Sequence, residues 1–404
     1  MDTDEPTGST DAGAGAAGRR LLSATARGSE SSAIRDLLQH ARRPDVISLA
    51  GGIPAPELFP LARIREAVDT SLDRLGPVAV QYGLTAGEAE TRELAARLTG
   101  AGTTPEEVVI TTGSQQALDL LARVLLDPGD TVVTSDPDYL GALQALRTRS
   151  PRFEPVALDS DGMRTDLLEE RLEAGMTPKL CYVVSNFHNP TGASLSAERR
   201  HHLSDLAAHY GFLVIEDDPY GDLWFGDGPN EPIGPDNPMV IRLRSISKIV
   251  APGLRIGWMT GPKWLREAIE VAKQSADLHT STFSQAVMVA TISNPAWFDA
   301  HLDQVRAHYR AQRDAMVAAL ESHLGDRISY QIPQGGMFLW AHTNHAATDV
   351  NALLPKALEA GVAFVPGAAF AVSSPATNAL RLSYATVPPA QLDDAAARLA
   401  TVLP

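Results

Sequence analysis

Ser245-Ile246-Ser247-Lys248-Ile249-Val250-Ala251-Pro252-Gly253-Leu254-Arg255-Ile256-Gly257-Trp258 follows directly on the run Met239 to Leu243, which reads as a buried strand. A lysine stands just past the strand end, between serines and a Pro-Gly turn, with Arg255 seven residues further on. A lysine amine held in a pocket forms a Schiff base with an aldehyde or ketone. Two hydroxyls and a guanidinium beside it suit a phosphate. Together these residues suggest an enzyme that uses a phosphorylated aldehyde, namely pyridoxal phosphate. A surface lysine in a serine-rich loop answers to the same pattern, so the rest of the chain has to decide.

Outward from this stretch the chain alternates. Apolar runs at Val108–Thr112, Thr131–Ser135, Leu180–Ser185, Phe212–Glu216, Met239–Leu243 and Ile256–Thr260 are predicted strands. Between them, Gln115–Leu126, Leu140–Arg147, Thr165–Glu173 and Ala197–Tyr210 carry helical spacing. Strands alternating with helices predict an α/β fold: a mostly parallel sheet sandwiched by helices. Helices are also expected over Ser31–His40, from about Pro60 to Leu75 and over Glu90–Leu98, and Val46–Pro54 reads as a strand opening into the pair Gly51-Gly52. After about residue 290 the rhythm changes to long Ala-rich helices (Asp299–Ser322) and short strands at Met337–Ala341 and Leu380–Ala385, which predicts a smaller α+β domain. The expected division is a disordered acidic tail over 1–20, an N-terminal segment over 21–55 packing with the small domain, a large cofactor-binding domain over 56–290 and a small C-terminal domain over 291–404.

The 404 residues, 44% of them hydrophobic, suffice for a large core. A net charge of −15 speaks against nucleic acid or an anionic membrane as partner, and no apolar run has the length of a membrane span. The single cysteine, Cys181, lies inside a predicted strand and reads as a buried side chain. With no internal disulfide and no secretion signal, the cytoplasm is the expected location. Gly13-Ala14-Gly15-Ala16-Ala17-Gly18 matches the dinucleotide glycine pattern, but only turn-formers precede it, so it is set aside.

In open parallel sheets the ligand lies beyond the carboxyl ends of the strands, and the unusual loops of this chain gather there. Thr112-Gly113-Ser114-Gln115 opens a helix, which suits a phosphate or an ordinary serine cap equally. Tyr139 follows another strand and offers a ring for stacking or for core packing. Asn189-Pro190-Thr191-Gly192 places an amide at a third strand end, with an Asn-Pro bond open to the cis form. Glu216-Asp217-Asp218 puts three acids at the mouth of an apolar strand, which is costly without partners. A protonated pyridine nitrogen would be such a partner and would keep the ring an electron sink. No metal is expected, because His201, His202, His209, His342 and His345 lack a matching ligand set. Arg381 shares a strand face with the small residues Ala379 and Ser383, which suits a bidentate clamp on a carboxylate.

From Ser31 to Thr386 the chain resembles the fold type I pyridoxal-phosphate aminotransferases of class I/II, and within them the aminoadipate, kynurenine and related broad-specificity transaminases. The resemblance rests on Leu49-Ala50-Gly51-Gly52-Ile53-Pro54, Gln81-Tyr82-Gly83, Gly113-Ser114-Gln115-Gln116-Ala117-Leu118, Asn189-Pro190-Thr191-Gly192, Asp217-Asp218-Pro219-Tyr220, Ser245-Ile246-Ser247-Lys248 and Leu380-Arg381-Leu382-Ser383, in that order. It implies that Lys248 holds the cofactor and, once displaced, acts as general base, while Asp217 pairs with the pyridine nitrogen. Tyr220 and Asn189 would bond the ring oxygen, and Tyr139 would stack on the ring. Ser114, Gln115, Ser245, Ser247 and Arg255 would bind the phosphate. Tyr82 would reach the phosphate of a neighbouring subunit, implying a homodimer with shared active sites. Arg381, with Asn189 and the backbone near Gly52, would clamp the substrate α-carboxylate. The implied reaction moves an amino group between an L-amino acid and a 2-oxo acid in ping-pong order, with neighbouring charges lowering the pKa of Lys248.

The chain departs from the pattern in its tail, in Ala26-Arg27-Gly28-Ser29-Glu30 and at His188, where glutamine is more common. Two rivals stand beside this reading. A decarboxylase, lyase or cyclase on the same scaffold would use the same Lys248 and Asp217. A regulatory module would need a basic DNA-binding domain of roughly 60 or more residues ahead of the sensor, against about thirty before the first expected helix.

Overall fold

The computed structural model describes residues 45–404 apart from 101, 227, 346, 374 and 375, together with 21–23, 26 and 43. The expected tail, its glycine pattern, the helix Ser31–His40 and residues 27–30 lie outside the described residues. Of the strand expected over Val46–Pro54, only β1 (Ile47–Ser48) forms. The backbone beyond it is tied instead to other elements, Leu49 N–H to the Ala363 carbonyl (2.8 Å) and Ser383 N–H to the Leu49 carbonyl (2.7 Å). Helices α1 (Leu61–Leu75) and α2 (Ala89–Thr99) follow, close to their expected bounds.

The central third forms one sheet. Its members are β2 (Val108–Thr111), then helix α3 (Ser114–Leu125), β3 (Thr131–Asp136), α4 (Leu140–Arg147), β4 (Arg152–Asp159), β5 (Gly162–Met163), α5 (Thr165–Glu173), β6 (Leu180–Val184), α6 (Ala197–Tyr210), β7 (Leu213–Asp217), β8 (Val240–Ser245) and β9 (Gly257–Thr260). The strand order is β2-β9-β8-β7-β6-β3-β4-β5. Pairings are parallel from β8 through β4, with β9 reversed between β2 and β8, and β5 reversed at the far edge. Strands covered on both faces read as unbroken apolar runs rather than as alternations, and every residue of β2, β6 and β7 is buried. Each Val, Ile or Leu so buried contributes about 1.5–3 kcal/mol relative to exposure. Strand β4 escaped the sequence reading because Pro155 interrupts it and most of its side chains are partly exposed.

Helix α7 (Lys263–Ala276) packs on α3 and α8 (Thr282–Ile292) on α1 and α2, and the 29-residue α9 (Pro295–His323) leads into the rest of the chain. The start of α9 is set by the Asn294 side chain, which accepts the Trp297 N–H, and by Pro295, whose missing N–H costs nothing there. The remaining elements are β10 (Ile328–Tyr330), β11 (Phe338–Thr343), α10 (Val350–Glu359), β12 (Val362–Ala363), β13 (Val365–Pro366), β14 (Ala379–Ser383) and α11 (Pro389–Ala400), and four of these strands make a second sheet. It is antiparallel in the order β10-β11-β14-β13, while β1 pairs separately with β12. Cys181 is fully buried, and burial pushes its thiol pKa up. Among the described residues no helix is long and apolar enough to cross a membrane.

Because β2, β3, β6, β7 and β8 run in one direction, the loops that follow them open on one edge of the sheet. β9 enters from that edge, so Arg255 arrives there too. The segment held between β12 and β14 brings Gly52 to the same edge.

Candidate active site

Lys248 closes a single 3-10 turn, Ile246–Lys248, immediately after β8. The Ser245 hydroxyl caps this turn, accepting the Ser247 N–H at 3.1 Å and donating to the Ile256 carbonyl at 3.1 Å. The Lys248 ammonium donates to the Gly52 carbonyl at 2.7 Å. Burial, and then the positive charges of Arg381 and Arg255, lower its pKa from the usual lysine value to about 8. Charge was the expected cause; burial is the larger one.

The three acids at the end of β7 divide between two faces. Successive strand residues point opposite ways. Glu216 meets Arg242 (3.2 Å), Arg200 (3.5 Å) and the Ile233 N–H. Asp218 accepts from the Asn186 amide at 3.0 Å. Asp217 points the other way and is 2% exposed. Its Oδ2 accepts the Tyr182 hydroxyl at 2.9 Å, and its Oδ1 has no partner among the described residues. Burial raises its pKa to about 7, with Asp218 and Asp138 adding to the rise and the Tyr182 hydrogen bond opposing it. Its carboxylate is thus held ready for a cation that none of the described residues supplies. Tyr182 was not foreseen, because it sits in an apolar run where an aromatic ring looks like core.

At the start of α3, Gly113 adopts a positive φ of 77°. The positive φ favours glycine, and a Cβ there would stand 2.7 Å from Arg255 Nη2 and push the guanidinium away. Gly257 on β9 is needed likewise, since its Cβ would lie 2.9 Å from Gly113 Cα. Arg255 donates to the Thr112 carbonyl at 3.2 Å. The Ser114 hydroxyl is buried and has no partner among the described residues, while the Ser245 and Ser247 hydroxyls bond each other at 2.8 Å. Gln115 donates to the Gly141 carbonyl at 2.9 Å, tying α3 to α4. Free N–H groups of a helix start, hydroxyls and a guanidinium converge here, which is a donor set for a phosphate.

Tyr139 folds back over Gly141, where a Cβ would come within 2.5 Å of the ring. Burial, reinforced by the nearby Asp217, raises its phenol pKa. Tyr220 is 4% exposed; burial raises its phenol and a hydrogen bond to Asn189 works the other way. Arg381 on β14 is 2% exposed. It donates to Asn189 Oδ1 and to the Ala50 carbonyl, both at 2.8 Å, and its guanidinium lies 4.3 Å from the Phe338 ring centre and 4.9 Å from that of Phe370. Its Nε is buried without a partner, and none of its hydrogen-bond partners among the described residues is a carboxylate. Burial lowers its pKa to about 10. A buried guanidinium lacking a counter-ion is strongly disfavoured unless an anion arrives.

These side chains line one cavity of about 450 Å³. Gly52, Ser114, Gln115, Tyr139, Asn189, Asp217, Tyr220, Ser245, Ser247, Lys248, Arg255 and Arg381 all face it. Tyr82 does not. Its ring is 80% exposed and stands edge-on to His279. Ile53, Leu140, Gln144 and Pro219 also line it and were not foreseen. An amine, an unpartnered carboxylate oxygen and an unpartnered hydroxyl beside a helix start meet the needs of an aldehyde, a pyridinium and a phosphate, so the residues present fit pyridoxal phosphate.

The family model for aminotransferase class I and II matches residues 44–399. Aromatic-amino-acid aminotransferase 1 of Thermococcus litoralis is 40% identical over 394 residues, covering 95% of this chain and 94% of that protein. The α-aminoadipate aminotransferase LysN of Thermus thermophilus, solved with N-(5'-phosphopyridoxyl)-L-leucine, superposes with a TM-score of 0.88 at 37% identity, covering 95% of this chain and 97% of the other. Kynurenine aminotransferase of Pyrococcus horikoshii, solved in complex with PMP, superposes with a TM-score of 0.90 at 38% identity, again covering 95% and 97%.

Proposed function

The chain belongs to the class I and II aminotransferases, enzymes that depend on pyridoxal phosphate, and from that premise we propose how the residues of its cavity share the work. The carrying observation is that Lys248, the unpartnered oxygen of Asp217 and the unpartnered hydroxyl of Ser114 face one cavity. When bound, pyridoxal phosphate supplies an aldehyde that condenses with amines and a ring that accepts the electron pair left when a Cα–H bond breaks.

Lys248 is the amine that fixes the cofactor and then, released, carries the proton removed from the substrate Cα. A pKa of about 8 leaves a usable share of the amine neutral near neutrality, which a general base requires. Asp217 holds the proton on the ring nitrogen through its free Oδ1 while Tyr182 fixes the carboxylate through Oδ2. Ser114, Gln115, Ser245, Ser247 and Arg255 anchor the phosphate, and Tyr139 covers the ring. Tyr220 and Asn189 hold the ring oxygen. Arg381, oriented by Asn189 and Ala50, binds the α-carboxylate of an L-amino acid or a 2-oxo acid, with the backbone at Gly52 beside it. The two half-reactions run in ping-pong order.

Tyr82 stands outside the cavity of its own chain, which supports a homodimer in which it completes the partner's phosphate site. Residues 56–290 would form the large cofactor domain and 291–404 the small one, with the described stretch 45–55 tied to the latter through Leu49. A lone, buried Cys181 suits a cytoplasmic enzyme. The test is one preparation of the protein. It should be yellow, bleach on addition of an amino donor and recover colour with a 2-oxo acid alone. Recovery that requires fresh cofactor would overturn transamination, and absence of colour after added pyridoxal phosphate would overturn the whole assignment.

A further inference from the structure

Next to the Thr112–Gln116 turn stands a closed polar network, none of whose members lines the cavity. At its centre is Lys273 of α7, whose side chain is 0% exposed. The ammonium donates to Gln116 Oε1 (2.8 Å), to both oxygens of Asp277 (2.8 and 3.0 Å) and to Thr280 Oγ1 (3.1 Å). Gln116 Oε1 also accepts the Thr112 N–H at 2.7 Å, and its Nε2 donates to Asp277 Oδ2 at 2.7 Å. The Thr112 hydroxyl donates to the same Asp277 oxygen at 3.0 Å. The Thr112 carbonyl meanwhile accepts from Arg255.

Taking a lysine fully out of water is expensive, and an apolar side chain would join α7 to α3 at less cost. What the ammonium does that a leucine cannot is hold Gln116 Oε1 and the Asp277 carboxylate in one orientation. Those two acceptors grip Thr112 through its N–H and its hydroxyl. Both ends of the turn carrying Gly113, Ser114 and Gln115 are therefore fixed from behind. The unpartnered Ser114 hydroxyl and the first N–H groups of α3 gain their direction from that grip.

We propose that Lys273 is a positioning residue: through Gln116, Asp277 and Thr112 it sets the turn that receives the cofactor phosphate. The inference rests on the cofactor reading above. It also makes a demand that a merely structural lysine would not. The network acts on the phosphate end, so it should matter for pyridoxal phosphate and not for pyridoxal, which has the same aldehyde and ring without the phosphate.

The full chain, freed of cofactor, is titrated by absorbance with each compound, as wild type, Lys273→Met and Thr112→Val. Losing hydrogen bonds that involve a charged group weakens binding by about tenfold or more. Lys273→Met is expected to weaken pyridoxal phosphate by about that factor while pyridoxal binding stays within about twofold. Thr112→Val removes the hydroxyl's bonds to Asp277 and Thr280 at nearly constant shape and should narrow the preference in the same direction, and it carries the test alone if Lys273→Met does not fold. Variants that keep the wild-type preference, or that weaken both compounds equally, overturn the inference. A wild-type chain that binds neither compound overturns the cofactor reading first and this inference with it.

Discussion

Tyr182 donates its hydroxyl to Asp217 Oδ2 at 2.9 Å, and this is the only hydrogen bond that the buried carboxylate receives among the described residues. The bond favours the ionised form, against burial, which favours the neutral one. Tyr182→Phe removes the opposing effect, so the Asp217 pKa should rise further above about 7. The acidic limb of cofactor binding to the cofactor-free protein should move to higher pH by about one unit, since a lost hydrogen bond of about 1.4 kcal/mol corresponds to one unit. Absorbance titrations of wild type and variant across pH decide the matter. An unmoved limb would show that Tyr182 does no more than fill space.

Lys248 is expected to set the pH dependence of cofactor attachment. The neutral amine attacks the aldehyde, and the pKa is lowered to about 8. When pyridoxal phosphate is added to the cofactor-free protein, the rate of colour formation should rise about tenfold per unit below pH 8 and level off above it. An ordinary lysine would still be accelerating near pH 10. Lys248→Ala should form no covalent adduct detectable by mass after borohydride reduction, with the circular dichroism of the fold retained.

Arg381→Lys should act on substrates and spare the cofactor. The planar fork now reaches Asn189 and Ala50 while lying against Phe338 and Phe370, and an ammonium cannot reproduce that set. The expected loss is about a hundredfold in kcat/KM for amino and oxo acids alike, from 2–5 kcal/mol for a buried charge contact. Cofactor affinity, measured by absorbance titration, should stay within about twofold of wild type. A loss confined to cofactor binding would move Arg381 out of the substrate site.

Mixing two crippled proteins tests the shared site. Lys248→Ala and Tyr82→Phe, denatured together and refolded, should regain activity that neither refolded parent shows. In a mixed dimer one cavity has its own Lys248 and receives an intact Tyr82 from across the interface. Random pairing puts about half of the dimers in that state. No recovery would place Tyr82 outside the reaction.

Much of the site could be read before the fold because its residues interrupt an otherwise regular pattern. Lys248, Asn189 and Ser114 each follow an apolar run and stand beside glycine, proline or serine, where a buried strand has no reason to be polar. Residues that act from behind carry no such mark. Tyr182 occupies a position in β6 at which any large ring would pack, and Lys273 lies on a helix where a basic residue reads as solvated. β7 ends one residue later than expected, at Asp217 rather than Glu216, so the key carboxylate belongs to the sheet and not to the loop. Helix α10 was hidden by Pro355 inside it, and β4 by Pro155. In each case tertiary packing overrode the local signal.

The alternation of Glu216, Asp217 and Asp218 across the sheet has a consequence for how this site tolerates insertion and deletion. A residue gained or lost within β7 would turn the strand over, exchanging every side chain between its faces. An acid would still look into the cavity, because both neighbours of Asp217 are acids. The arginines Arg200 and Arg242 would share one carboxylate fewer or a shorter one, and a valine or isoleucine would be driven among charges. Slippage is therefore punished by the far side of the sheet, even though the reacting side would still find a carboxylate, and it is the structural arginines that keep the working acid in register.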